Sequence, residues 1–308
     1  MLLSPIERKG AGMAECTLCY HHCTINESAY GFCGVRTCRD GRIVPSNYGK
    51  LTSIALDPIE KKPLRRFYPG SKILSVGSYG CNLRCPFCQN YQISWGEEVE
   101  LVKRDAEYVS PEELADMAQQ LAMTGAPDLD CEDADAQGND SRGNIGVAFT
   151  YNEPLISYEY ILDTARLLRD RNLKTVIVSN GMADPKVLQD LFSYVDAMNI
   201  DLKGFTDHYY HDLLKGDRAQ VMEFITEAVK HCHVELTTLI IPGENDSEDE
   251  MEKLSLWISS LSPDIPLHIS KFFPTFKMTD RDATSVEKIY HLKTVAEKKL
   301  NYVYTGNC

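Results

Sequence analysis

From Lys72 onward the chain repeats one pattern, a short apolar run followed by a longer stretch with amphipathic helical spacing. Strand-like runs lie at 73–76, 147–150, 175–179, 197–202, 234–241 and 267–272, with a last one at 302–304. Helical stretches are read at 156–171, 185–192, 218–231, 247–261 and 285–299. A further helix opens at Ser110, where Pro111 takes the first helical position and Glu113 completes a capping box. Strands joined by helical crossovers lie parallel, so the pattern predicts an α/β fold. Six or seven such units make a partial (β/α)6 TIM-like barrel rather than a closed one. In such barrels the loops that follow the strands converge, and chemistry gathers at the strands' C-terminal ends. Functional residues are therefore expected just after each apolar run.

Residues 1–70 read differently, as a small module rich in Cys, Gly, Pro and basic side chains with strand-like runs at 42–44 and 51–56. The predicted division is this module at 1–70 and the barrel at 71–308. An acidic, weakly apolar insertion interrupts the barrel near 126–144, with Asp128, Asp130, Glu132, Asp133, Asp135 and Asp140. The net charge of −13 would repel a phosphate backbone, which argues against nucleic acid as a partner. No apolar run approaches the ~20 residues a membrane span needs, and residues 1–12 have no hydrophobic signal core. The expected location is cytoplasmic, with no membrane partner. Eleven cysteines in a reducing compartment point to metal ligation rather than disulfides.

Three of those cysteines follow the first strand-like run as Cys81-Asn82-Leu83-Arg84-Cys85-Pro86-Phe87-Cys88, a C-x3-C-x2-C spacing. Three adjacent thiolates can hold three irons of a [4Fe–4S] cube, and no further cysteine occurs in the next forty residues. Electron-transfer clusters normally take four cysteines, so an iron left open is a reaction site. A zinc knuckle would need a fourth Cys or His nearby, and His21 and His22 lie about sixty residues upstream. The remaining unusual residues also follow strand-like runs. They are Tyr151-Asn152-Glu153-Pro154, Ser179-Asn180-Gly181 and Asp201-Leu202-Lys203, with His268 in the sixth run. Residues i and i+2 of a strand share a face, so Asn199, Asp201 and Lys203 are expected on one side, where buried charges require a partner or a ligand.

The cysteine spacing resembles the signature of the radical S-adenosylmethionine (SAM) enzymes. Taken with the N-terminal cysteines, Asp57-Pro58-Ile59-Glu60-Lys61-Lys62-Pro63-Leu64, Phe67-Tyr68-Pro69-Gly70 and Cys88-Gln89-Asn90, the motifs resemble the radical SAM protein of the AmmeMemoRadiSam system, a pyruvate formate-lyase activating enzyme-like family. The resemblance runs from about Cys16 to Asn307. It implies a [4Fe–4S] cluster on Cys81, Cys85 and Cys88 whose open iron chelates SAM. Reductive cleavage would then yield a 5′-deoxyadenosyl radical that takes hydrogen from a substrate not identified by the sequence. By the same resemblance Glu153 and Asn152 meet the SAM amino group, and Tyr151-Asn152 stands where relatives carry two glycines. Ser179 and Asn180 form the ribose- or methionine-contacting edge. Lys203 meets the carboxylate, Asp201 the ribose or amine, Phe87 the adenine, and His268 is a further SAM contact. The implied partners are a flavodoxin- or ferredoxin-like electron donor, for which Lys61, Lys62, Arg65 and Arg66 offer a basic docking patch, and a candidate protein substrate.

Two rival functions stand beside this one. Glycyl-radical activases carry an Asp-Gly-Pro-Gly-Ile-Arg-like stretch before the cluster, whereas this chain has Phe67-Tyr68-Pro69-Gly70-Ser71. A non-catalytic iron–sulfur electron carrier or zinc scaffold would cleave no SAM. The N-terminal spacing Cys16-x2-Cys19-x3-Cys23-x9-Cys33-x4-Cys38 packs five thiols into a short stretch, and Cys16, Cys19, Cys23 and Cys33 are read as a second metal site, zinc or iron–sulfur. Cys131, Cys232 and Cys308 receive no role.

Overall fold

The computed structural model describes residues 12–124 and 143–308. Cys131 and the acidic insertion up to residue 142 lie outside the described residues; Asn144, placed at the end of that insertion, already opens a strand.

The N-terminal part is built from two hairpins, β1 (Met13–Glu15) with β2 (Thr24–Asn26) and β3 (Arg36–Arg39) with β4 (Arg42–Pro45). After β5 (Lys50–Leu51) comes β6 (Ser53–Pro58), which pairs antiparallel with β7 (Lys72–Gly77). The large sheet thus begins at Ser53, ahead of residue 70. The reason is the edge of β7, where Ile73, Leu74 and Val76 are fully buried and the strand needs a partner on its outer side.

Beyond β7 lie α1 (Tyr91–Ser94), α2 (Val99–Asp105), β8 (Glu107–Tyr108), which pairs with β5, and α3 (Pro111–Thr124). The chain then alternates β9 (Asn144–Phe149), α4 (Tyr158–Asp170), β10 (Lys174–Ser179), α5 (Gln189–Phe192), β11 (Ala197–Asp201), α6 (Arg218–Ala228), β12 (His233–Ile240), α7 (Glu248–Leu261), β13 (Leu267–Lys271), α8 (Val286–Ala296) and β14 (Val303–Gly306). Strand order is β14-β13-β12-β11-β10-β9-β7-β6. Seven consecutive strands are parallel and adjacent in chain order, which is the partial barrel the βα alternation predicts.

Serine and aspartate caps set the helix starts. Ser110 N donates to Glu113 Oε2 at 2.8 Å and Glu113 N donates back to Ser110 Oγ at 3.2 Å, the reciprocal box read from the sequence. Asp217, Ser247 and Ser285 cap α6, α7 and α8 with one bond each, accepting from Gln220 N, Glu250 N and Lys288 N, each worth about 1 kcal/mol. The stretch read as helical from 185 forms α-helix only over Gln189–Phe192. Asp184 takes Lys186 N on its side chain and Val187 N on its carbonyl, and these tight turns delay the helix.

Three apolar clusters result among the described residues. The largest packs helices against the outer face of the sheet; a second joins Ile59, Leu64 and Phe67 to Ile73, Ala148, Val176 and Ala197; a third joins Cys33, Val35, Tyr79 and Ile156. Segment 59–67 thus crosses the N-terminal end of the sheet's inner face. It is held there by Arg65 N and Arg66 N, which donate to Glu235 at 3.0 and 2.7 Å, and by Asn199 Nδ2, which donates to Pro63 O at 2.9 Å. With that end filled, the inner face opens only toward the C-terminal ends of the strands. No described helix is long and apolar enough to cross a membrane.

Candidate active site

An open cleft of about 1170 Å³ lies over the C-terminal ends of β7 and β9 to β14. Cys81, Cys85, Phe87, Cys88, Asn152, Glu153, Ser179, Asn180, Asp201 and Lys203 all line it. Chain folding has thus drawn four separated motifs to one surface.

The cysteine loop is fixed on both sides. Asn82 Nδ2 donates to Met182 O at 2.7 Å, Arg84 N donates to Leu214 O at 2.8 Å, and Lys277 N donates to Pro86 O at 2.9 Å. Arg84 folds back on its own loop, donating to Cys81 O at 2.8 Å and Leu83 O at 2.9 Å. Gly80 precedes the loop at φ +90°, and a Cβ there would stand 2.4 Å from Val35 and 2.8 Å from Cys33 O. Burial pushes the Cys85 thiol up to about 12, although Lys203 pulls it back, and burial raises Cys81 and Cys88 too. Without a cation these thiols stay neutral, so any metal that binds them must displace their protons. Among the described residues, the cleft lining holds no fourth cysteine and no histidine. The donor set therefore fits a cube that these residues would hold at three irons, leaving the fourth without a protein ligand.

Glu153 is 2 % exposed and fully engaged. Its Oε1 accepts from Leu155 N at 3.0 Å and Ser179 Oγ at 2.8 Å; its Oε2 accepts from Asn180 N at 2.8 Å. Burial pushes its carboxyl up to about 7 against the pull of those donors. A buried carboxylate of this kind gains from an arriving cation. Asp201 and Lys203 pair with each other at 2.7 Å, and both reach the cleft. Burial works against the Lys203 charge, yet Asp201 outweighs it and holds the ammonium above the usual lysine range.

Asn152 lines the cleft and is also engaged within the turn. Its Oδ1 accepts from Ser78 N at 3.0 Å and its Nδ2 donates to Gly80 O at 3.1 Å, so the side chain ties β9's exit to the start of the cysteine loop. Tyr151 adopts φ +74°, the left-handed conformation of a glycine, and its ring lies against Gly77, where a Cβ would meet it at 2.7 Å. The substitution of Tyr-Asn for two glycines therefore leaves the turn intact. The Tyr151 hydroxyl donates to Asp57 Oδ2 at 2.7 Å, and Lys62 Nζ donates to the same oxygen at 2.8 Å while lying 4.6 Å from the Tyr151 ring centre.

Two expectations are corrected here. His268 does not line the cleft; it is 5 % exposed, bonds Glu235 at 2.6 Å and stacks on Tyr304. It precedes Ser270, which does reach the cleft, by two residues on the same strand face, and so sits one layer deeper. The basic run 61–66 is split: Lys62 is 2 % exposed and turns toward the cleft, whereas Lys61, Arg65 and Arg66 stay exposed.

Sequence reasoning missed the residues that hold the Lys203 backbone. The Tyr210 hydroxyl accepts from Lys203 N at 3.0 Å, and Asn245 Nδ2 donates to Lys203 O at 2.7 Å. Tyr210 lies in a π-helix, Tyr209–Leu214, that no apolar periodicity signals. Asn245, in the Pro-Gly-Glu-Asn turn after β12, carried a turn signal that pointed no further.

Comparison with known proteins agrees with this geometry. The family model described as the Radical SAM superfamily matches residues 132–254. An uncharacterized protein of Methanocaldococcus jannaschii, MJ0808, is 35% identical over 304 residues, 98% of this chain and 83% of that protein. A pyruvate formate-lyase-activating enzyme of Clostridium pasteurianum is 23% identical, over 68% of this chain and 83% of the enzyme. Among solved structures, a radical SAM methyltransferase from Sphaerobacter thermophilus superposes with a TM-score of 0.55 at 16% identity, over 78% of this chain and 67% of that one.

Proposed function

Because the chain belongs to the radical SAM superfamily, whose members use a [4Fe–4S] cluster and SAM, we propose that it is an AmmeMemoRadiSam-type enzyme that generates a 5′-deoxyadenosyl radical in this cleft and takes hydrogen from a bound substrate. One observation carries the reading: three cysteines, a buried carboxylate and an Asp–Lys pair line one cleft, with no fourth thiol or imidazole among the described lining residues. When bound, the cluster supplies the electron that divides SAM into methionine and the radical. The chain's own residues bind and orient. Cys81, Cys85 and Cys88 hold three irons. Glu153, already fixed by three donors, receives the SAM ammonium, and Lys203, held by Tyr210 and Asn245, faces its carboxylate. Asp201 and the Ser179–Asn180 edge take the ribose, and Phe87, 4 % exposed beside the cysteines, packs on adenine. The AmmeMemoRadiSam type is favoured by a contact between its motifs: Asp57 and Lys62 of the first meet Tyr151 of the second. A flavodoxin- or ferredoxin-like donor and a cytoplasmic setting belong to the same reading.

The test is anaerobic reconstitution followed by dithionite and SAM. Formation of 5′-deoxyadenosine that is lost in Cys85→Ala is expected. A reconstituted protein that carries its cluster but leaves SAM intact would refute the proposal. A glycyl-radical doublet raised on a candidate partner would move the function to activation.

A further inference from the structure

The N-terminal cysteines have no part in that reading, and the structure arranges them. Cys16, Cys19, Cys23 and Cys33 line one small pocket with Ile25, Ile156 and His21, whose Nε2 lies 2.9 Å from Asn82 O. Three of the four are at most 8 % exposed. The fifth thiol, Cys38, stays outside and faces Gly12 O and Glu27. All four are free thiols. The hairpins around them are short strands with small apolar faces, so the module converges on sulfur rather than on a core of its own. Two backbone N–H groups point at sulfur, Phe32 N at Cys23 Sγ and Arg36 N at Cys33 Sγ, both at 3.3 Å. The same contact occurs at the first site, from Leu83 N to Cys81 Sγ at 3.4 Å. Donors of this kind favour thiolate over thiol.

Four thiols suit either a tetrahedral zinc or a fully ligated iron–sulfur cube. Position points to the redox group: the N-terminal four and the catalytic trio are neighbours. The Cys19 thiol contacts the Asn82 side chain, Asn82 adjoins Cys81, and Asn180 Nδ2 bridges Asn82 Oδ1 at 2.9 Å and Cys81 Sγ at 3.7 Å. Arg84 joins the two loops, stacking on Phe32 and donating to Phe32 O while it holds Cys81 O.

We propose that Cys16, Cys19, Cys23 and Cys33 hold a second [4Fe–4S] cluster, fully coordinated by cysteine and separated from the first by the Asn82–Arg84 layer. This is the position an electron relay requires.

Metal content and spectroscopy test the proposal without reference to SAM turnover. Anaerobically reconstituted protein should contain ~8 iron and ~8 sulfide per chain, and the Cys81→Ala/Cys85→Ala/Cys88→Ala variant ~4 of each with negligible zinc. Dithionite-reduced wild type should show spin–spin broadening in electron paramagnetic resonance that the triple variant lacks. About one zinc per chain in the triple variant, or no metal at all in it while the wild type holds ~4 iron, would overturn the second cluster. Should Cys16→Ser/Cys33→Ser fail to fold, the wild type and the triple variant still decide. Loss of iron from the triple variant separately tests the catalytic site, so the two readings fail independently.

Discussion

Asp57→Asn puts the buried network beneath the cleft to a quantitative test. Lys62 Nζ lies 2.8 Å from Asp57 Oδ2, with the two side chains 3% and 10% exposed. At an effective dielectric near 20 the gross attraction is ~6 kcal/mol, most of it offset by the cost of removing both charges from water. The pair's net value is therefore small, but breaking it strands an ammonium in the interior, which costs about 3–5 kcal/mol. Asparagine keeps one acceptor for Lys62 and for the Tyr151 hydroxyl, so the lower figure is expected, ~3 kcal/mol. Lys61, whose side chain is 66% exposed, contributes little to the pair. Combining Asp57→Asn with Lys62→Met removes the stranded charge, and the double variant should be more stable than Asp57→Asn alone by roughly 2 kcal/mol.

The pH dependence carries a sign. Burial works against the Asp57 charge, but Lys62, Tyr151 and Lys61 outweigh it and hold the carboxyl below the usual range. That contribution is present above the unfolded carboxylate pKa and is lost as pH falls through the folded value. In Asp57→Asn the isolated Lys62, whose pKa burial already depresses, binds its proton less readily folded than unfolded. Without Asp57 the depression deepens, so the variant should gain more stability than the wild type between pH 7 and 10. Urea denaturation followed by circular dichroism, on proteins of equal cluster loading, reads all of this. Additive losses in the double variant, or a pH-flat loss below 1 kcal/mol in Asp57→Asn, would refute the buried-pair argument.

Other perturbations give equally specific outcomes. Glu153→Gln removes a buried acceptor charge and should weaken SAM binding roughly 10- to 100-fold by calorimetry, the loss of one charge-assisted contact. With the Glu153 carboxyl pushed up to about 7, wild-type SAM affinity should fall as pH drops through 7, and Glu153→Gln should show no such step. Gly80→Ala forces a Cβ to within 2.4 Å of Val35 at φ +90° and should cost about 1–3 kcal/mol or more, seen as a lowered urea midpoint. Tyr210→Phe frees the Lys203 amide and should raise the SAM dissociation constant several-fold without loss of iron, which colorimetric iron analysis checks.

The chain's own residues declared the βα alternation, the thiol trio and the candidate SAM contacts, because strand and helix periods and metal-ligand spacings are local properties that survive in one dimension. Cys81, Cys85, Cys88, Glu153, Ser179, Asn180, Asp201 and Lys203 all line the cleft because strand ends converge wherever parallel strands follow one another. His268 misled because its depth depends on register, and two residues along a strand decide between cleft and interior. Lys62 misled because a basic run on paper looks solvated until the fold turns one of its members inward. Long-range partners such as Asn245 for Lys203, Asp57 for Tyr151 and Asn82 for Asn180 belong to tertiary structure alone. Their contacts join residues far apart in the chain, and only the assembly of the parallel sheet, which sets its strand ends and their loops side by side, brings their atoms within hydrogen-bonding reach.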